Sequence, residues 1–307
     1  MDLDRMWEAV ERERKKSLQY LPVGAQESEA LSEKVVEKAN EARVFAAQPF
    51  LSDTPTLRKS EIIPHGTFVF LCDLHVPYVN YRVIDAVAKE KADGIVIGGD
   101  VFDAERFSPH SSRKRVPFQQ EYEIALSIFG EISSWFKVVI LIPGNHDRRI
   151  ARRFNSLQES AELGFLVNPD PLYHLARGRR MLDGFSFGEE SYNNVVYYDN
   201  AVLFGNVIFD HPDNFSSVPG GTVRRVIKHF VTLSKEPFDY VVIGHTHVYA
   251  EIMELGKVGI EGGCACAELP YTYLSGRRPY GPQTNMYLLL FFESGKLVSY
   301  EKRVIGR

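Results

Sequence analysis

Residues 67–75 read Thr67-Phe-Val-Phe-Leu-Cys-Asp-Leu-His75, an apolar run of strand length that ends on a carboxylate, with an imidazole two positions further on. A run without polar alternation is what a strand covered on both faces requires, so it is expected in the middle of a sheet, with Asp73 at its C-terminal edge. The arrangement returns twice. Gly94-Ile-Val-Ile-Gly98 precedes Gly99-Asp100-Val-Phe-Asp103, and Val138-Val-Ile-Leu-Ile142 precedes Gly144-Asn145-His146-Asp147. Residues 82–92 and 118–136, between these runs, carry helical patterns. Strand, helix, strand, helix, strand implies parallel crossover units and an α/β fold, in which sites lie at the carboxyl ends of the strands.

Beyond residue 200 the pattern turns toward hairpins. Ala201–Phe204 and Asn206–Phe209 lead to Asp210-His211, and Tyr240–Ile243 leads to Gly244-His245-Thr246-His247. Met286–Phe292, a Glu-Ser-Gly-Lys turn and Leu297–Tyr300 follow. Together these predict a second, more antiparallel sheet.

Toward the other end, residues 1–46 are rich in Glu, Lys, Arg and Ala, with apolar pairs such as Met6, Val10 and Leu31, Val35, and they predict two amphipathic helices separated by Leu21-Pro-Val-Gly24. Such an extension is either solvated or an arm for homo-oligomerisation, since a lone hairpin cannot bury its apolar stripe. Residues 47–66, with three prolines, read as a connector. The main domain then spans 67–307.

The whole chain has 307 residues, 44% hydrophobic and 25% charged, which is the composition of a globular protein with ample core. Its formal charge of −4 supplies no global basic field to recruit nucleic acid. Three cysteines, Cys72, Cys264 and Cys266, form neither a disulfide framework nor paired Cys-x-x-Cys clusters, and suit a reducing compartment. No stretch reaches the roughly 18 apolar residues of a membrane span. The expectation is a cytoplasmic protein without a membrane anchor.

Carboxylate, amide and imidazole side chains after five strand-like runs are the ligands that a pair of divalent cations needs to hold a phosphate ester. Two ions about 4 Å apart share a carboxylate, polarise phosphoryl oxygens and lower the pKa of a bridging water to give a hydroxide nucleophile. Asp73 and His75, one residue apart, would point to one face of a strictly extended strand. His245 and His247 share that spacing, but a turn after Ile243 would let them diverge toward different ions. Asp100 is the natural bridge, because Gly98-Gly99 lets the backbone approach closely. Asp210 competes with His211 for one position.

From Thr67 to Ala250 these motifs resemble the calcineurin-like metallophosphoesterase superfamily. The resemblance implies a four-layered α/β/β/α sandwich and a seven-residue shell. Asp73, His75, Asp100 and His247 would hold one metal, and Asp100, Asn145, His211 and His245 the other. It implies further that His146 does not bind metal but protonates the leaving oxygen, oriented by Asp103. Manganese is the first expectation for the two ions, with iron, zinc, nickel, cobalt and magnesium as alternatives. The protein Ser/Thr phosphatases resemble Gly-Asp-x-x-Asp-Arg-Gly, whereas this chain has Asp103-Ala-Glu-Arg106. That departure argues against a protein phosphatase and toward bacterial and phage phosphoesterases and repair-type nucleases.

For the substrate, Arg148, Arg149, Arg152, Arg153, Arg177, Arg179 and Arg180 outnumber Glu159, Glu162 and Asp170 over residues 148–180, and Arg113-Lys-Arg115 adds a second basic run. Arg148, Arg149, Arg106 and His110 are the expected phosphate contacts, the first two because they leave the motif directly. Between Gly263 and Tyr280, residues Tyr271, Tyr273, Arg277, Arg278 and Tyr280 would either stack a base or cap the sheet. The expected function is a phosphodiesterase acting on nucleic acid, single strands included, or on nucleotides. A phosphomonoesterase and a metal-stabilised scaffold without turnover are the alternatives.

Overall fold

The computed structural model describes residues 57–108, 116–155, 168–182, 186–189, 192–267, 269 and 283–306. The helices expected over residues 1–46, His110, the basic run at 113–115 and the aromatic and arginine positions 271–280 lie outside the described residues.

In chain order the elements are β1 (Arg58–Lys59), β2 (Gly66–Leu71), α1 (Tyr81–Val87), β3 (Gly94–Gly98), α2 (Phe118–Trp135), β4 (Val138–Ile142), α3 (Arg148–Asn155) and α4 (Pro171–Ala176). They continue with β5 (Arg179–Leu182), β6 (Ser186–Glu189), β7 (Val195–Tyr197), β8 (Val202–Phe204), β9 (Val207–Asp210) and α5 (Gly221–Leu233). The chain closes with β10 (Tyr240–Ile243), β11 (Tyr249–Glu254), β12 (Lys257–Gly262), β13 (Met286–Glu293) and β14 (Lys296–Val304). Helix α1 stops short of the expected residue 92 because the chain must turn back to let the Asp93 amide donate to the Thr67 carbonyl, which starts β3 beside β2.

Two mixed six-stranded sheets, ordered β14-β13-β2-β3-β4-β7 and β1-β8-β9-β10-β12-β11, form the middle layers. The crossover units are as expected: β2, β3, β4 and β7 are parallel neighbours. The second sheet departs from the expectation, since β1–β8, β9–β10 and β10–β12 pair parallel and only β8–β9 and β11–β12 antiparallel. The C-terminal hairpin also departs, because β13 joins the first sheet antiparallel to β2. The reason is burial on two sides. Leu288, Leu290 and Phe292 face the second sheet while Tyr287 and Leu289 face the helices, so β13 belongs in a covered position, and the edge of β2 provides one.

Alternation along β2 sets the four layers. Phe68, Phe70 and Cys72 pack between the sheets against Phe204, Phe209 and Val242, whereas Val69 and Leu71 pack outward under α1, α2 and α4. Ile208, Val241 and Ile243 on the second sheet pack outward against Val223, Ile227 and Phe230 of α5. Periods of two in the strands and 3.6 in the helices thus cover both sheets, and every loop bearing an expected ligand follows the carboxyl end of a strand.

Candidate metal centre

The loops after β2, β3, β4, β9 and β10 converge. Strand ends alone do not aim the side chains, because Asp73, His75, Asp100, His245 and His247 all have positive φ, between 47° and 82°. The extended backbone expected for Asp73 and His75 is therefore absent. Their side chains meet because both residues are left-handed (φ 55° and 47°), a conformation that costs about 1–2 kcal/mol per residue and that Asp and His tolerate better than most.

One group of donors forms around the first loop. His247 Nε2 lies 3.1 Å from Asp73 Oδ1 and 3.1 Å from His75 Nε2, and His75 Nε2 lies 3.8 Å from Asp73 Oδ1 and 3.6 Å from Asp100 Oδ2. Bonds of ~2.1 Å to one ion give ligand-to-ligand edges of roughly 3.0–3.4 Å, which these separations approach. A second group forms on the other side of Asp100. His211 Nε2 is 3.2 Å from Asp100 Oδ2, and the Asp100, His211 and His245 donor atoms lie within 4.8 Å of one another. The two histidines after β10 do diverge, His247 toward Asp73 and His245 toward His211.

Asn145 Oδ1, His211 Nε2 and His245 Nε2 are buried without a hydrogen-bond partner. Buried polar atoms are normally satisfied, and three orphans beside a shared carboxylate fit divalent cations. Asp210 leaves its place to His211: its Oδ1 accepts the His211 amide at 2.8 Å, while His211 Nδ1 donates to the Gly98 carbonyl at 2.8 Å and so presents Nε2 inward. Close approach requires the glycines. A Cβ on Gly99 would lie 2.6 Å from His211 Nδ1, and one on Gly144 would lie 2.0 Å from Asp100 Oδ1.

The buried groups share charge unevenly. Burial raises the Asp73 carboxyl, but the His247 and His211 imidazoles outweigh it and hold the group well below the usual carboxylate range. Burial opposes protonation of His211, yet Asp100 and Asp73 push it up to about 9. Burial, then the neighbouring His211, brings His245 down to about 4.

His146 lies beside the first group, its ring 4.5 Å from that of His75. Its Nδ1 is 2.8 Å from the Asp103 carbonyl oxygen and 3.5 Å from the Asp103 carboxylate, which is closer, at 3.1 Å, to His75 Nδ1. Asp103 thus orients His146 mainly through its main chain and His75 through its side chain. Arg149 Nη1 donates to the same carbonyl at 2.9 Å, and its Nη2 lies 2.9 Å from His146 Nε2. Arg148 reaches the His211 carbonyl and Asp213, each at 3.4 Å, and Arg152 pairs with Asp213 too. Arg106 is exposed on the short 3-10 turn Glu105–Phe107.

Three supports are not evident from the sequence. Asp147 is buried and accepts from the amides of Phe102 at 2.9 Å, Gly144 at 2.8 Å and Val101 at 3.4 Å, tying the third motif to the second. Its position inside the motif is the one signal for it. Glu121 on α2 is buried and accepts the Ala104 amide at 2.8 Å, and no local pattern marks it. Cys266, expected only as a buried small residue, has Sγ 3.9 Å from His247 Nδ1 and joins His75 and His247 as a cluster of donor atoms. His65, His174 and His229 belong to no such cluster among the described residues.

The model of one family, described as calcineurin-like phosphoesterase, matches residues 66–249. No curated protein matches the chain. Among solved structures it is similar to wild-type Vps29 of Entamoeba histolytica complexed with zinc (12% identity, 78% of this chain and 98% of that one, TM-score 0.40). It is also similar to a novel archaeal phosphodiesterase (13%, 78% and 99%, 0.39) and to vacuolar protein sorting 29 of Cryptosporidium parvum (16%, 80% and 100%, 0.39).

Proposed function

Because the chain belongs to the calcineurin-like phosphoesterase family, we propose that it is a metal-dependent phosphoric ester hydrolase whose substrates are phosphodiesters of nucleic acids or nucleotides. The observation that carries this reading is the gathering of His211 Nε2 and His245 Nε2 with the Asp100 carboxylate, while these two atoms and Asn145 Oδ1 are buried without a hydrogen-bond partner. Asp73, His75, Asp100 and His247 would hold one divalent ion, and Asp100, Asn145, His211 and His245 the second, with manganese the first candidate. When bound, such ions supply Lewis-acid polarisation of the phosphoryl oxygens and an activated water.

The protein's own contribution is proton handling and orientation. A carbonyl can only accept, so the contact to Asp103 O places the His146 proton on Nδ1 and leaves Nε2 for the substrate side. Protonated there, His146 delivers a proton to the leaving oxygen. Asp103, Asp147 and Glu121 hold the second and third motifs in register around it. Arg148, with only 10% of its side chain exposed and bonded to the His211 carbonyl, braces the loop after β9. Three buried free cysteines support a reducing, cytoplasmic location, and no helix among the described residues is long and apolar enough to cross a membrane.

His146→Gln tests the acid and separates an enzyme from a metal-stabilised scaffold. Turnover of a dinucleoside monophosphate with Mn²⁺, whose leaving alkoxide needs a proton, should fall by roughly 10²–10⁴-fold with metal content unchanged. Undiminished turnover in the variant would remove the acid assignment, and a wild type inert toward every ester would favour the scaffold. Faster turnover of p-nitrophenyl phosphate than of bis(p-nitrophenyl) phosphate would shift the reading to a monoesterase.

A further inference from the structure

Arg149 has no carboxylate partner among the described residues: its guanidinium bonds to the Asp103 carbonyl and to His146 Nε2. The neighbouring arginines differ, since Arg148 and Arg152 both pair with Asp213. Arg149 is therefore a cation beside His146 with no matching anion among the described residues.

The hydrogen bonds also constrain what His146 can do. A guanidinium only donates, so in this arrangement Nε2 must accept and carry no proton. Nε2 is the atom from which His146 would protonate a leaving oxygen, and Arg149 occupies it. For His146 to act, Arg149 must move to another acceptor nearby, and a neutral alcohol offers it little. A phosphate carried by the leaving group offers a charge-assisted, bidentate contact of about twice the strength of a neutral one.

We propose that Arg149 is a specificity residue that exchanges His146 Nε2 for an anionic phosphate on the leaving group, so that the preferred substrates are those whose leaving group bears its own phosphate. This rests on the hydrolase reading above. The chemistry has two sources, a polynucleotide, where the next phosphate follows the leaving sugar, and a phosphoanhydride, where it is attached to the leaving oxygen. Binding such a group frees Nε2, so recognition of the leaving group and readiness of the acid are coupled through one side chain.

The test uses the full chain loaded with Mn²⁺ and three substrates: a dinucleoside monophosphate, the same dinucleotide with a phosphate on the leaving nucleoside, and a nucleoside diphosphate. Wild type should favour one of the phosphate-bearing substrates by roughly tenfold or more in kcat/KM, and which one it favours distinguishes the two sources. Arg149→Gln should leave the plain dinucleotide no slower, since no guanidinium then occupies His146 Nε2, and should erase the preference by slowing the phosphate-bearing substrates, while Arg149→Lys should keep part of it. Metal content and melting temperature of each variant establish that the site and fold persist. A uniform loss in Arg149→Gln, with the ratio between substrates unchanged, would overturn the proposal, because Arg149 would then only position His146. Turnover of the plain dinucleotide without discrimination in wild type removes this inference alone, whereas absence of any turnover removes the hydrolase reading as well.

Discussion

Asp103 serves two histidines with different atoms, its carboxylate facing His75 and its carbonyl facing His146 and Arg149. That division is possible because Ala104, next in the chain, is left-handed (φ 46°) and turns the carbonyl inward. The turn is secured from below by Glu121, whose oxygen accepts the Ala104 amide. Burial, together with the neighbouring Asp103 and Glu105, pushes the Glu121 carboxyl up to about 8 from its ordinary 4.5. A raised folded-state value means that folding favours the protonated acid. The stability it adds is whole below about pH 4.5 and is lost as pH rises through about 8. Glu121→Gln keeps the acceptor and removes the titration, so its urea midpoint should fall less than that of wild type between about pH 5 and about pH 8, by a difference on the order of 1 kcal/mol or more. Parallel pH curves for the two proteins would show that Glu121 is ionised in the folded protein.

At the level of elements, the site is a set of strand-to-loop corners, and the corners depend on glycine where backbones touch. A Cβ on Gly144 would sit 2.3 Å from the Asp100 amide nitrogen and 2.0 Å from Asp100 Oδ1, so Gly144→Ala must push apart the loops after β3 and β4. Gly256 in the β11–β12 turn has φ +70° but meets nothing within 4 Å. Gly256→Ala should therefore cost only about 1–2 kcal/mol of backbone strain with metal content intact. Gly144→Ala should cost about 2–3 kcal/mol or more and lower the bound metal as well. Denaturation and elemental analysis of both variants make the comparison, and normal metal content in Gly144→Ala would refute the close-packed corner. The same corners explain why pairs two positions apart in sequence, Asp73 with His75 and His245 with His247, behave differently. The first pair converges on one group of donors and the second splits between two.

Across the whole molecule, the two sheets carry a packed apolar interior to the rim of a cluster of buried carboxylates and imidazoles, which is expensive to assemble without cations. Chelation should lower the melting temperature and re-added Mn²⁺ should restore it. An ion at a hundred times its Kd contributes about 2.7 kcal/mol, or roughly 5–10 °C for a domain of this size. A melting temperature indifferent to both treatments would contradict a metal-holding centre. Much of this was legible in the linear chain. Apolar runs ending in Asp73, Asp100 and Asn145, with helical patterns between them, specify parallel strands and the edge from which the polar residues emerge, because burial periodicity and chain direction are local properties. The sheet that receives β13 was not legible, since a strand buried on both faces satisfies its hydrogen bonds beside β2 as well as in the second sheet. Nor were Glu121 beneath Ala104 and Arg149 across His146, or the left-handed turn at Asp73 that replaces the extended strand. Local pattern names the residue types and their order. Pairing between distant segments, and the angles that aim side chains into a shared space, arise only when the whole chain is packed, because the energies that select them come from contacts far apart in sequence.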